Sequence, residues 1–260
     1  MGTAKTIPIG GDKAAPYLAF GDDSQYGDFL AYAFVVVRRK RLPQVERRLA
    51  DLKDSFKIPR EIPLHCRVLF SGDLRRKTGL GHLLPCDAQS IVARAVTIMN
   101  DTWITLRYAR DTYSQMKQRL GSQIELTHET DGTKITLPVN ADSKGFLSML
   151  MQASLMPNPG PHVPALTDCE IIVAEDYTKV GFIGPGRKRA DRMYNGFSDI
   201  GAPEGGVFQL NPTVLKAEGA PLLQLADIAA YICSHAADAA APRNFFREQL
   251  SLVRRWTSVG

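Results

Sequence analysis

The run FLAYAFVVV, from Phe29 to Val37, constrains this chain more than any other stretch, because it offers no polar side to water. A strand with one wet face alternates apolar and polar residues. An unbroken apolar run rich in aromatic and β-branched types predicts a strand buried within a sheet. Just before it, YLAFGDD from Tyr17 is a second short apolar strand, and it ends in acids. The connection SQYGD is short and carries a glycine, which predicts an antiparallel hairpin.

Downstream the period changes. Val45, Leu49, Leu52 and Phe56 fall at helical spacing, and Pro59 and Pro63 end that helix. LHCRVLF, Leu64 to Phe70, predicts a third strand, with a short helix as the alternative. Asp87 is placed to cap a helix over AQSIVARAVTIMN. TWITLRYAR, from Thr102, predicts a strand, and IELTHETDGTKITLPV predicts a hairpin around Asp131-Gly132. A helix over GFLSMLMQASLM stops at PNPGPHVP; DCEIIVAED is a buried strand ending in acids; VFQLNPTVLKA supplies one more short strand. APLLQLADIAAYICSHAADAA is a strongly apolar helix, and a terminal helix is expected to hold Phe245, Leu250, Val253 and Trp256. Strands first, then helices and strands in alternation, predict an α/β fold in three layers, a mixed central sheet flanked by helices. Residues 1–15 show no periodicity and are expected to form a loose tail. Residues 16–260 are expected to form one domain, with PNPGPHVP a loop inside it.

No apolar run approaches the roughly 20 residues a spanning helix needs, and the N-terminus lacks a secretory signal's apolar core. The expected location is therefore the cytoplasm, with no membrane partner. The four cysteines, Cys66, Cys86, Cys169 and Cys233, show no metal-ligand spacing, and free thiols in a reducing compartment are the simplest account. There are 32 Lys plus Arg against 27 Asp plus Glu, for a formal charge of +5. The basic residues cluster in RRKR (Arg38 to Arg41, including Arg39), RRK (Arg75, Arg76, Lys77) and RKR (Arg187, Lys188, Arg189). Each run is compatible with a solvated loop; together they make Arg38, Arg39, Arg75, Arg76, Arg187, Lys188 and Arg189 candidates for a phosphate-facing rim.

Three acidic positions stand out. Asp22 and Asp23 end the first strand, Glu175 and Asp176 end a later one, and Asp227 lies inside an apolar helix. An ionised carboxylate among Leu222, Leu223, Leu225, Ala226 and Ile228 is costly unless it is paired or binds a cation. The plainer alternative is a buried Asp that caps a neighbouring backbone or pairs with an arginine. Carboxylates gathered from separate elements suit one or two Mg²⁺ or Mn²⁺ ions acting on a phosphodiester. Ser24 lies beside the acids, but no GxSxG elbow surrounds it, so a serine hydrolase is not indicated. GFIGPGRKR matches neither a P-loop nor a dinucleotide fingerprint.

FGDDSQ after an N-terminal strand, LHCRVLF, a strand ending in an acid, and LLQLADIAAY together resemble the domain-of-unknown-function 3800 family, over roughly Tyr17 to Ala236. The closing Gln224 to Asp227 is the specific part of the likeness. The resemblance implies a ribonuclease H-like fold and a metal-dependent nuclease or a relative of one. It would give metal-ligand roles to Asp22, Asp23, Glu175, Asp176 and Asp227. Asp22, His65, Asp176 (or Glu175) and Asp227 would carry catalysis, with Asp22 in the bridging position. His65 is a general-base or ligand-orienting candidate beside the bland alternative of a half-core histidine. Two departures matter: the opening motif has Asp23 for Glu and Gln25 for Gly, and Val68 stands where relatives often carry an acid. Glu61 or Asp73 are candidate substitutes. The rival to a nuclease is a catalytically silent module that binds nucleic acid or a protein partner.

Overall fold

A computed structural model describes residues 15–119, 123–127, 134–138, 144–155, 163–174, 213–215, 220–238 and 244–259. The predicted hairpin is β1 (Tyr17–Tyr26) with β2 (Phe29–Arg38), paired antiparallel from Tyr17 opposite Arg38 to Tyr26 opposite Phe29. Gly27 takes φ +56° at the tight turn, a conformation glycine adopts without penalty. After β2 come helices α1 (Leu42–Ser55), α2 (Cys66–Leu69), α3 (Gly72–Lys77) and α4 (Pro85–Asp101). The chain then returns to the sheet as β3 (Thr105–Thr112), antiparallel to β2. α5 (Tyr113–Arg119), a separate antiparallel pair β4 (Gln123–Thr127) and β5 (Lys134–Pro138), and α6 (Lys144–Ser154) follow. β6 (Cys169–Ala174), β7 (Thr213–Leu215), α7 (Pro221–Ala236), α8 (Phe245–Leu252) and β8 (Trp256–Val259) complete the described elements.

The main sheet has the order β7-β6-β1-β2-β3-β8. β6 is parallel to β1, β7 to β6 and β8 to β3, so β2 alone runs against the rest. Every residue of β2 from Leu30 to Val37 is buried, which explains its unbroken apolar sequence. Its side chains divide by parity. Ala31, Ala33, Val35 and Val37 join Leu18, Phe20, Leu106 and Ile172 in a core that also holds residues of α1, α4 and α7. Leu30, Tyr32, Phe34 and Val36 join Ala19, Ile171 and Val173 in a second core with Met116 of α5 and Leu147 and Met151 of α6. Helices thus cover both faces of a mixed sheet. α7 is buried almost all round, which accounts for its nearly uniform apolar composition. Among the described residues, no helix is long and apolar enough to cross a membrane.

Four predicted elements differ. LHCRVLF takes the short-helix alternative instead of the strand: His65 is extended and the chain then turns into α2. α4 begins before Asp87. Leu84 is its N-cap and Pro85 opens the first turn, while Asp87 reaches back to accept the Leu84 N–H at 2.7 Å. β3 starts at Thr105, because Trp103 takes φ +62° just after the helix and cannot continue into a strand. The terminal helix ends at Leu252, and Trp256 lies instead in the edge strand β8, opposite Leu106.

Candidate functional site

Gln224 and Asp227 stand three residues apart on α7 and so share one face of that helix. Both are aimed at the extended segment before α2. Gln224 Oε1 accepts the Leu64 N–H at 2.8 Å, and Asp227 Oδ2 accepts the Cys66 N–H at 2.7 Å. Asp227 Oδ1 lies 2.7 Å from Nδ1 of His65. The helix side chains therefore take the place a neighbouring strand would have, and this is why an apolar, strand-like sequence does not pair into the sheet. His65, extended at φ −123° and ψ 119°, sits at the N-cap of α2, and its half-exposed ring stands out toward solvent.

Asp22 belongs to the same neighbourhood. In β1 it lies on the same face as Leu18 and Phe20, which pack in the core shared with α7. Two residues further on, Ser24 Oγ accepts a hydrogen bond from Ser234 Oγ of α7 at 3.2 Å. The electrostatics agree with the placement. The hydrogen bond to Asp227 raises the His65 pKa above its ordinary value; burial opposes it, and the charges of Asp227 and Asp22 add to it. The buried Cys66 thiol is pushed well up by burial first and by Asp227 and Asp22 next, so it is an inert neighbour rather than a nucleophile. A column of rings flanks this centre along α7. Phe70 stacks on Tyr231 at 5.4 Å, Tyr231 on His235 at 3.7 Å, and His235 lies 4.1 Å from Tyr26.

Asp227 thus pairs with His65, Asp22 stands on the sheet face that α7 covers and its charge reaches His65 and Cys66, and Asp23 faces the other way. Its Oδ2 accepts a hydrogen bond from Ser148 of α6 at 3.1 Å, on the opposite face of the sheet, as the two-residue period of a strand demands. The glycine before the acids serves that opposite face as well. A Cβ on Gly21 would come within 2.6 Å of the Phe34 ring and the Tyr32 hydroxyl. β6 runs parallel to β1, with Val173 opposite Gly21, and is assigned to Ala174; Glu175 and Asp176 lie outside the described residues. Of the candidate substitutes, Asp73 pairs with Arg76, and the charge of Glu61 acts on Lys53. Val68 is partly buried against the main core, on α2.

Two of the basic candidates have structural duties instead. Arg39 is 8% exposed, forms an ion pair with Glu170 of β6 and donates to the Ala15 carbonyl at 2.9 Å. Arg75 is also 8% exposed and donates to the Leu69 carbonyl. Neither can present its guanidinium to a phosphate without abandoning these bonds. Arg38 and Arg76 are exposed, while Arg187, Lys188 and Arg189 lie outside the described residues. Gln224 gained no role from the sequence beyond its place in the closing motif. The available signal was a polar residue three before Asp227 in the apolar first half of the helix.

Among the described residues, no group of three or more His, Cys, Asp or Glu is arranged to hold a metal ion. Comparison with protein-family models, with curated proteins and with solved structures finds no match to this chain.

Proposed function

We propose that this chain is a divalent-metal-dependent phosphodiesterase acting on nucleic acid, built on the ribonuclease H-like core that its sequence resemblance implies. The observation that carries the reading is the 2.7 Å pair of Asp227 on α7 with His65, with Asp22 of β1 on the sheet face that α7 covers. The sheet supports it too. A mixed order in which one strand next to the centre runs against all others suits a ribonuclease H-like arrangement, though fold alone does not assign an activity.

The donors suit the ion in kind. Mg²⁺ is commonly held by only one or two carboxylates, the remaining positions going to water and substrate phosphate. Asp22 and Asp227 would hold it, with Asp176 or Glu175 the further candidate. Mg²⁺ or Mn²⁺, when bound, supplies charge for a phosphodiester oxygen and lowers the pKa of a bound water. The chain's own contribution is positional. Asp227 fixes the His65 ring through Nδ1, and the half-exposed His65 is the group this reading uses to carry a proton to a leaving oxygen. Gln224 and the Cys66 N–H keep the segment that bears His65 in place.

A second reading has its own support. Both Asp227 oxygens already accept from protein donors, as a purely structural latch would, and a silent binding module would need nothing more. One assay separates the two: cleavage of labelled DNA and RNA at millimolar Mg²⁺ or Mn²⁺ by the parent, Asp22→Asn and Asp227→Asn. The nuclease reading expects losses of about 10²-fold or more in both variants. Absence of metal-dependent cleavage by the parent while nucleic acid still binds would assign the chain to the silent class.

A further inference from the structure

The end of the sheet away from the carboxylates carries an unusual surface. The chain has two tryptophans, and both lie there in the open, Trp103 at 55% and Trp256 at 51% exposure. Trp side chains are ordinarily well buried. Topology brings three segments together at this end: Arg38 to Arg41 leaving β2, Thr102 and Trp103 entering β3, and Arg254 to Trp256 entering β8. The guanidinium of Arg255 lies 3.9 Å from the centre of the Trp103 ring, and that of Arg41 5.0 Å from it. Among the described residues, no carboxylate is within ion-pair distance of Arg38, Lys40, Arg41, Arg254 or Arg255. Asp101, the acid closest in sequence to Trp103, is already paired with Arg48.

The backbone of Trp103 shows that its side chain is not there for the sake of the fold. α4 ends in a Schellman motif: the Ile104 N–H bonds the Met99 carbonyl at 2.9 Å, and the Trp103 N–H the Asn100 carbonyl at 3.3 Å. The residue at the centre of this motif must take a left-handed conformation, here φ +62°, and glycine fills that place most easily. A bulky aromatic residue is strained there. What Trp103 does supply is a flat surface on which two guanidinium groups are laid. Stacking engages the face of a guanidinium and leaves its in-plane N–H groups pointing sideways, where they match the paired oxygens of a phosphodiester. Of the Arg41 donors, Nη1 bonds the Thr102 carbonyl at 3.1 Å, which fixes the side chain without covering its far edge.

We infer that Trp103 organises Arg41 and Arg255 into a clamp for the phosphodiester backbone of nucleic acid, with the exposed Trp256, next in sequence to Arg255 and 6.0 Å from the Tyr108 ring, as a platform for an unpaired base. The chemistry favours nucleic acid over other polyanions. Exposed indoles beside unneutralised guanidiniums answer to alternating bases and phosphates. An acidic peptide would leave the rings unused. A bilayer would require a continuous apolar face, and here the exposed Trp103 ring carries two guanidinium groups. The clamp does not rest on the carboxylate site, and it holds whether or not that site cuts.

The test uses the full chain, a fluorescein-labelled single-stranded DNA of about 20 nucleotides, and three proteins: the parent, Trp103→Gly, and the double variant Arg41→Gln with Arg255→Gln. With both tryptophans at the surface in question, binding quenches the intrinsic emission of the parent. Trp103→Gly keeps or raises the melting temperature, because glycine suits the left-handed position, yet binds several-fold more weakly. The double variant loses about tenfold or more at 0.1 M salt, and its log–log salt slope falls by about 1.4, two phosphate contacts' worth for a single strand. Equal affinity of all three proteins overturns the proposal. So does displacement of the DNA by polyglutamate, or by phosphatidylserine vesicles, as effective as displacement by unlabelled DNA. Failure of cleavage with this pattern of binding intact would count against the nuclease reading alone.

Discussion

Replacing Gln224 with leucine isolates what the helix contributes by holding a distant strip of backbone. Gln224 is 4% exposed and Leu64 1%, so neither end of their 2.8 Å hydrogen bond is open to solvent. Leucine is close to glutamine in volume and removes the acceptor while leaving the packing nearly filled. The Leu64 N–H then has no partner. An orphaned buried donor costs about 1–3 kcal/mol, the loss of its hydrogen bond included. A loss of about 2 kcal/mol, the middle of that range, follows, a substantial fraction of the roughly 5–15 kcal/mol that stabilises a domain. For a chain of this size that corresponds to a fall in Tm of about 4–8 °C. Urea unfolding followed by circular dichroism gives the global value, with an unchanged slope against denaturant. Amide exchange at Leu64 gives the local one, rising about 30-fold or more for the same energy. A variant within about 0.5 kcal/mol of the parent, with Leu64 still protected, would refute the idea that Gln224 holds this segment.

Two further predictions concern the sheet and the ring column. Gly21→Ala drives a methyl group into Phe34 and Tyr32, and a loss of about 1–3 kcal/mol in urea unfolding is expected; unchanged stability would mean that both rings move aside freely. His235 is 9% exposed, and burial lowers its pKa to about 4 from 6.5. Its neutral form is the one the fold accepts, so the stability it contributes is whole above pH 6.5 and is lost as the pH falls toward 4, for a total of about 3 kcal/mol. Urea midpoints between pH 7.5 and 4.5 should therefore fall more steeply for the parent than for His235→Gln, and parallel slopes would remove His235 as the cause.

The legible parts of the fold were those decided by local chemistry. β2 needed nothing beyond its composition, because burial on both faces leaves no place for a polar residue. α1, α6 and α7 followed from spacing and apolar content. The misplaced parts depend on partners far along the chain. Leu64 to Cys66 has the composition of a strand but is bonded by side chains about 160 residues away. Trp256 becomes a strand residue only because β3 offers an edge beside it. Trp103 occupies a helix-terminal position that usually carries glycine, so the usual stop signal was missing. In the candidate site, grouping Asp23 with Asp22 as a metal ligand overlooked the two-residue alternation of β1, which sends the two acids to opposite faces. The burial of Arg39 against Glu170 and of Arg75 against Leu69 was not readable from runs of basic letters.

The bonds from α7 to the Leu64–Cys66 segment also impose an order on assembly. A nascent chain can complete β1, β2 and α2 early, but His65 gains its anchor only when the helix carrying Gln224 and Asp227 has been made and docked. Until then the acid on β1 has no counterpart from α7. The surroundings of His65 are therefore completed late, when α7 docks on a segment made 160 residues earlier.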